Sequence, residues 1–239
     1  MTGSLINAAL IVLAAVAVGV GLPAPSGRVQ RRLQVLLAGL TLGLGFHVMW
    51  LGLGGTMGQV LRQVGVVVLA LMLGRVTGQA LGLQETFNRL GRFARARLVG
   101  QPEGGTWPAG EVFRAATVVF CLTPLAFVGP LQEGLRGDPR ALLIKGVVDG
   151  LATLALARTR GWEVAAVALP VLAFQGTMTL VVTGLRVRLE AIGAVDVLYV
   201  TSGFLLLATA LVMFPILRIR LADYLPSLVW AALLGWWVL

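Results

Sequence analysis

The sequence is poor in the side chains on which many enzymes and secreted proteins depend. Its 239 residues include one cysteine, one histidine, one lysine and only 10 acidic residues. A lone cysteine allows neither a disulfide within the chain nor a cysteine-based metal site, so Cys121 is expected to pack as a small apolar residue. There is no Ser/His or Cys/His arrangement and no H-x-x-x-H motif. The sequence therefore predicts no enzyme, no bound metal and no cofactor.

What the chain has in abundance is apolar surface. Apolar residues make up 58% of it and charged residues 12%, and the mean hydropathy is +0.91. Such a composition predicts an integral membrane protein built as an all-α bundle of transmembrane helices. Eight apolar runs approach the roughly 20 residues that a membrane-spanning helix needs, or seven if the fourth, which is interrupted, does not cross. They cover residues 4–22, 33–53, 63–82, 112–131, 141–157, 162–183, 195–217 and 222–239.

The net charge of +9 follows from arginines that are distributed unevenly between the loops. Eleven arginines fall in the odd-numbered loops and five in the even-numbered ones. By the positive-inside rule the odd loops are cytoplasmic, which places the N-terminus outside the bacterial inner membrane. The predicted partner of this basic face is therefore anionic lipid, and not nucleic acid.

Residues 84–110 interrupt the apolar pattern and divide the chain. Residues 84–98 place Phe87, Leu90 and Ala94 on one helical face and three arginines on another. This pattern favours a basic amphipathic helix in the cytoplasmic headgroup layer; the alternative is a solvated linker helix. The predicted units are residues 1–83, 84–110, 111–194 and 195–239. A shift of 102 residues aligns several glycines and places His47 on Asp149, which suggests inverted three-helix repeats.

Lys145 and Asp149 lie four residues apart inside an apolar run, and Lys145 is the lone lysine. A charge at bilayer depth costs about 2.5–3.5 kcal/mol on insertion scales. One interpretation is a self-neutralised pair that fixes helix packing. The other is a functional pair, since the pKa of a buried lysine shifts more readily than that of arginine.

The fourth run contains Pro124, Gly129 and Pro130, and Gln132 and Glu133 follow it. The prolines predict either a kink with an exit turn or a discontinuous helix that lines a cavity. Asp138 and Pro139 are expected to start the fifth span as N-cap and first helical residue.

Further polar residues fall in the middle or outer half of their spans. They are Asn7, His47, Gln175 and Thr179. His47 is read either as hydrogen-bonded packing or as a proton relay. Together with Glu133 and Lys145 they predict a polar cavity near the midplane that opens outward and has Asp149 as its floor.

The same residues form an ordered motif. The pattern G-x-x-Q-[DE]-G-L-x-G-D, then an in-membrane Lys and Asp-Gly, then Gln-Gly-x-x-Thr resembles the bacterial membrane family typified by YdfK and YqgA. The matching positions are Gly129, Gln132, Glu133, Gly134, Leu135, Gly137, Asp138, Lys145, Asp149, Gly150, Gln175, Gly176 and Thr179. Asn7 lies in a similar opening segment, and Thr153 stands where the family often has serine. The resemblance implies a multi-span inner-membrane protein, and it implies no substrate.

Two functions fit these predictions. The first is a transporter or channel for a small polar or charged solute or ion, with Glu133, Lys145, Asp149, Gln175 and Thr179 as its site. Gln132, Asn7 and His47 complete the candidate set. The alternative is a structural or assembly protein whose Lys145–Asp149 pair serves helix packing. The glycine-rich second span allows packing within one chain or between copies in a homo-oligomer.

Overall fold

The computed structural model describes residues 1–21, 26–98, 109–214, 216 and 219–238, and within these ranges the regular structure is helical. The helices are α1 (Thr2–Gly19), α2 (Gly27–Gly52), α3 (Met57–Ala80), α4 (Leu83–Leu98), α5 (Ala109–Cys121), α6 (Leu125–Arg136), α7 (Arg140–Arg160), α8 (Ala168–Ala191), α9 (Ala194–Met213) and α10 (Ser227–Val238). Short 3-10 turns, Trp162–Val167 and Leu221–Tyr224, precede α8 and α10. The prediction of an all-α bundle is confirmed.

Helices occupy all eight predicted spans, but they differ in their fitness to cross a membrane. Five units are long and apolar enough alone, namely α1, α2, α3, α8 with its preceding turn, and α9; α5 and α6 together form a sixth that is bent by 57°. The helix α7 has 21 residues but contains Lys145 and Asp149. The helix α10 has only 12 residues, about 18 Å of helix. By length and composition the described residues thus support five or six spans, against the eight predicted.

Helix pairing connects distant parts of the sequence. The helix α1 runs parallel to α7, because Gly3 packs on Leu142 at one end and Gly19 on Trp162 at the other. The helix α2 packs on α9 and α3 packs on α10. Helices of the predicted units 1–83, 111–194 and 195–239 therefore contact one another, and the division into units and the inverted repeat stay predictions. We call the side where α1 begins the N-terminal side, and the side where α4 lies the linker side.

Glycine allows the closest of these helix contacts. A Cβ on Gly203 of α9 would lie 2.5 Å from Met49 Cγ of α2, and one on Gly78 of α3 would lie 2.0 Å from the carbonyl oxygen of Asp223. Any larger residue would therefore force the helices apart. Such small-residue contacts are typical of helices that pack in a bilayer.

The helix α4 has the amphipathic character that the sequence predicts. Ala94 is buried, Phe87 and Leu90 are half-buried, and Arg89, Arg92 and Arg95 are exposed. Asp223, itself fully buried, accepts a hydrogen bond of 3.0 Å from the backbone N–H of Gln84 at the start of α4. This carboxylate satisfies one of the donors left unpaired at a helix N-terminus and favours the dipole there. Residues 99–108 of the predicted linker lie outside the described residues.

Candidate functional site

Four helices bring most of the predicted polar residues together. We call the resulting group the polar column. Its members are Ser4 and Asn7 of α1, Glu133 of α6, Lys145 and Asp149 of α7, and Gln175 and Thr179 of α8. Glu133, Lys145 and Asp149 are 4%, 1% and 2% exposed. The column is therefore closed to solvent in this structure, whereas the sequence predicts a cavity that opens outward.

The Lys145–Asp149 pair forms the part of the column nearest the linker side. The Lys145 ammonium contacts the Asp149 carboxylate directly as an i, i+4 pair. The Asn7 side-chain amide donates to Asp149 Oδ2 at 3.2 Å and to Gln175 Oε1 at 2.9 Å. Asn7 thereby joins α1 to both α7 and α8. Because both charges are almost completely desolvated, removal of either partner would leave a costly unpaired group.

Asn7 approaches α7 closely because α7 has a glycine there. A Cβ on Gly146 would lie 3.1 Å from the Cα of Asn7. Because the glycine of the sequence K-G-x-x-D has no side chain, the surface of α7 beside the two charged side chains is open to close approach by another helix. This surface lets the first helix reach Asp149.

Glu133 forms the part of the column nearest the N-terminal side, and it holds the start of α1. Its carboxylate accepts hydrogen bonds from the backbone N–H of Gly3 at 2.6 Å and from the hydroxyls of Thr2 and Ser4 at 3.2 Å each. The Thr179 hydroxyl donates to it at 3.4 Å. The amino group of Met1 lies 3.3 Å away. A carboxylate at this place satisfies the free donors of the helix N-terminus and favours its dipole.

Sequence reasoning did not identify Thr2, Gly3 and Ser4 as site residues. Their only signal is a run of small residues with two hydroxyls at the start of an apolar helix. Such residues favour helix N-termini in general. Which acid they meet is set by the packing of α1 on α6, across about 130 residues of sequence.

Two side-chain groups in the column lack partners. Asn7 and Gln175 are both fully buried, yet Asn7 Oδ1 and Gln175 Nε2 have no hydrogen-bond partner among the described residues. One is an acceptor and the other a donor. A water molecule or a polar solute that donates or accepts could satisfy each of them.

The predicted helix break is present and lies at Pro124. The helix α5 ends at Cys121, and α6 begins at Leu125 after a bend of 57°. Pro130 lies inside α6, so it does not break the helix. The hydroxyls of Thr117 and Thr123 near the break are buried without a partner among the described residues. Cys121 packs against the same apolar cluster as Ala152 and Leu156 of α7, so the end of α5 lies near the half of α7 that follows Asp149.

Two predicted site residues lie outside the column. His47 is exposed on the surface of α2, and the structure does not bring it to the charged pair. Gln132 is fully buried but faces α9, where its amide donates to Ser202 Oγ at 3.4 Å. Gln132 therefore joins α6 to α9 and does not contribute to the column.

Asp138 has the structural role expected of it, with a small shift. Its carboxylate accepts from the backbone N–H of Arg140 at 3.1 Å and pairs with the Arg140 guanidinium at 2.8 Å. The helix begins at Arg140, one residue later than predicted. Burial raises the pKa of Asp138, but the hydrogen bonds and the charge of Arg140 outweigh it, so the net pKa lies below its usual value.

Among the described residues, cavities of defined volume lie away from the column. One of about 430 Å³ on the N-terminal side is lined by Arg136, Arg186, Glu190 and Asp196, among others. A second of about 390 Å³ lies between α2 and α7. The third, of about 330 Å³, lies beneath α4. None of the residues that line these cavities belongs to the column.

Comparison with known proteins places the chain in a family. The family described as "Protein of unknown function (DUF554)" matches residues 2–236. The chain is 28% identical over 162 residues to "Uncharacterized membrane protein YdfK" of Bacillus subtilis (strain 168). The aligned region covers 67% of this chain and 66% of that protein.

A second relative matches over a longer region. The chain is 28% identical over 233 residues to "Uncharacterized protein YqgA" of Escherichia coli (strain K12), which covers 96% of this chain and 94% of that protein. No solved structure matches the chain. Since the family match extends over nearly the whole sequence and the helices are apolar enough to cross a bilayer, the protein is a membrane protein that belongs to the DUF554 family.

Proposed function

We propose that the protein is a transporter or channel for a small polar or charged solute or an ion, with the polar column as its binding site. The observation that carries this proposal concerns two side-chain groups near Asp149 that lack hydrogen-bond partners among the described residues. Asn7 Oδ1 and Gln175 Nε2 are buried and have no partner among the described residues. Each buried unsatisfied group costs about 1–3 kcal/mol. A bound solute or the water that replaces it would remove this cost.

The broken helix beside the column supports the same function. A helix that ends inside a bilayer leaves backbone groups that only protein, water or a solute can satisfy. Discontinuous helices of this kind often form the substrate and ion sites of secondary transporters. Here the break at residues 122–124 lies in the bent unit formed by α5 and α6, and α6 packs on α7, the helix that carries Lys145 and Asp149. The hydroxyl of Thr123 at the break has no partner among the described residues and is a further polar group there.

Because the polar column is closed to solvent, entry of a solute would require a movement of the helices that cover it. The Glu133 carboxylate joins the first turn of α1 to α6 and covers the column from the N-terminal side. Solute entry from that side would require this turn to separate from Glu133. Asp149 is the proposed coupling residue, because a carboxylate can hold either a proton or a cation. Lys145 neutralises Asp149 when the site is empty.

The cellular setting is part of the proposal. We place the protein in the bacterial inner membrane with its N-terminus outside and the linker 84–110 in the cytoplasm. Its basic cytoplasmic face would contact anionic lipid. Gly39 and Gly43 of α2 have open space around them and follow the G-x-x-x-G spacing of helix contacts between copies. We expect no enzymatic activity, no cofactor and no nucleic-acid partner.

The test is ion flux in proteoliposomes. Vesicles that contain the parent protein, Asp149→Asn or Glu190→Gln are given a gradient of H⁺, Na⁺ or K⁺ in turn, and flux is followed with an ion-sensitive dye. We expect flux above protein-free vesicles for the parent and for Glu190→Gln, a control at an exposed acid. Asp149→Asn should lose most of it. Equal flux from the parent and Asp149→Asn would contradict the assigned role.

One observation favours the structural alternative. Lys145 and Asp149 contact each other, so the pair is already neutralised without a solute. If its role is packing alone, the double variant Lys145→Met/Asp149→Leu should fold and keep its cellular phenotype. A folded double variant that has lost the phenotype would reject this alternative.

A further inference from the structure

The cavity beneath α4 lies between the linker helix and the membrane-spanning helices. The N-terminus of α4 is fixed there by Asp223, and the Gln84 side chain accepts a hydrogen bond of 3.1 Å from the backbone N–H of Ala222. On its inner face, the Phe87 ring lies 6.3 Å from the ring of Phe127 in α6. The helix is thus held at its start, and a space remains open along its side.

This space, which we call the linker cavity, has a volume of about 330 Å³. Its walls are mainly apolar and include Val118, Val119 and Leu122 from α5 and the break, and Val212 from α9. The polar groups of Gln84 at its edge are already used, since Gln84 bonds to Ala222 and to Asn88. An apolar chain would gain free energy for each methylene that it buries there. A polar solute would lose hydration there without compensation.

Exposed arginines of α4 follow the residues that line the linker cavity. Asn88 and Gly91 of α4 line the cavity, and Arg92 and Arg95 follow them by one helical turn each. Both arginines are exposed. They belong to the basic face of an amphipathic helix, which lies at the level of lipid headgroups. Arginine is well suited to phosphate, because its guanidinium can donate two parallel hydrogen bonds.

We propose that the linker cavity binds one anionic phospholipid, with an acyl chain inside the cavity and the phosphate at Arg92 and Arg95. This assigns a specific site, beyond a general attraction between the basic face and the bilayer. The cavity wall also includes Leu122 and Pro124 of the helix break. An acyl chain there packs against the break from the linker side and supports its bent conformation.

The experiment measures thermal stability of the purified protein in lipid-free detergent. Dioleoylphosphatidylglycerol or dioleoylphosphatidylcholine is added at increasing concentration. We expect the anionic lipid to raise Tm progressively with its concentration, by about 5–10 °C at a hundredfold excess over Kd, and the zwitterionic lipid to raise it much less. Equal shifts from the two lipids, or no shift from the anionic one, would overturn the proposal.

Two pairs of variants separate a local site from bulk charge. Arg92→Gln/Arg95→Gln should lose most of the Tm shift. Arg31→Gln/Arg32→Gln removes the same charge from exposed residues of α2 on the same side and should keep it. Equal losses in the two double variants would show that charge alone is responsible, and would overturn the site.

A cavity-filling variant tests the acyl-chain part. A Cβ on Gly91 meets nothing within 4 Å, so Gly91→Phe should fold and fill the cavity, abolishing the shift. Gly184→Phe, at an equally open glycine of α8, should keep it. As a measurement independent of Tm, native mass spectrometry should show one fewer bound phosphatidylglycerol per chain for Gly91→Phe than for the parent. An unchanged lipid count would overturn the proposal.

Discussion

Removal of Lys145 alone should destabilise the protein more than removal of Lys145 and Asp149 together. In Lys145→Met, Asp149 stays buried, and among the described residues its carboxylate keeps the side-chain amide of Asn7 as its donor. Breaking a buried ion pair by deleting one partner costs about 3–5 kcal/mol. In Lys145→Met/Asp149→Leu no buried charge remains, and such apolar replacements are often neutral or stabilising by about 1–4 kcal/mol. The double variant should therefore be at least about 3 kcal/mol more stable than Lys145→Met.

The assay is a double-mutant cycle of the free energy of unfolding, measured by titration with denaturing detergent in mixed micelles. The matched control is Arg186→Met, Glu190→Leu and their combination, an i, i+4 pair on α8 that is 47% and 45% exposed. An exposed pair of this spacing should show a coupling energy of only about 0.3–0.5 kcal/mol. If the coupling energy of Lys145 and Asp149 is as small as that of the control pair, the conclusion that they are buried and interdependent is wrong.

Three further predictions concern helix contacts. Gly78→Ala should lower the free energy of unfolding by about 1–3 kcal/mol, because its Cβ would collide with the backbone of Asp223. Gly58→Ala is the control, since its Cβ would meet open space in the same helix, and it should not lower the free energy of unfolding. Denaturant titration compares the two variants. Asp223→Ala should lower the free energy of unfolding by about 1 kcal/mol and speed amide exchange in the first turn of α4, because the backbone N–H of Gln84 loses its acceptor. An unchanged exchange rate would contradict the capping role. Glu133→Ala should speed amide exchange at residues 3–5, since the start of α1 loses its acceptor, and equal protection in parent and variant would show that Glu133 does not hold that turn.

Stability at low pH should depend on Asp138, whose pKa lies below its usual value because the hydrogen bonds and charge of Arg140 outweigh the effect of burial. The folded state therefore binds this proton less readily than the unfolded state. The stabilisation is complete above the ordinary value of about 3.9 and is lost as pH falls through the lower folded pKa. Asp138→Asn should flatten this part of the stability curve, measured by acid titration of Tm. A curve identical to that of the parent would argue against the ion pair.

The sequence alone was sufficient to predict the helices and many residues of the candidate site. Long apolar runs predict helices whatever their neighbours, and Pro124 predicts a break because it removes a backbone donor. The pairing of Lys145 with Asp149 follows from their spacing of four residues. The depth of Asn7, Gln175 and Thr179 follows from their positions within the runs. Each of these inferences depends on local sequence alone.

What the sequence did not predict depends on contacts between distant segments. The packing of α1 along α7 is decided by the fit of Gly3 and Gly146 to the facing helix, which leaves no periodic signal. For the same reason the partners of Glu133 and the Asp223 cap on α4 were missed. The predicted open cavity is instead a closed column, because Gly134 of α6 and Gly146 of α7 let α8 and α1 approach closely.

The central claim is that the buried charged pair serves transport and not packing alone. The most direct test is ion flux through proteoliposomes that contain Lys145→Met/Asp149→Leu, after unfolding measurements have shown that this variant is folded. The proposed function predicts flux at the level of protein-free vesicles from a protein at least as stable as the parent. Flux equal to that of the parent would contradict it, and the pair would then be a packing device.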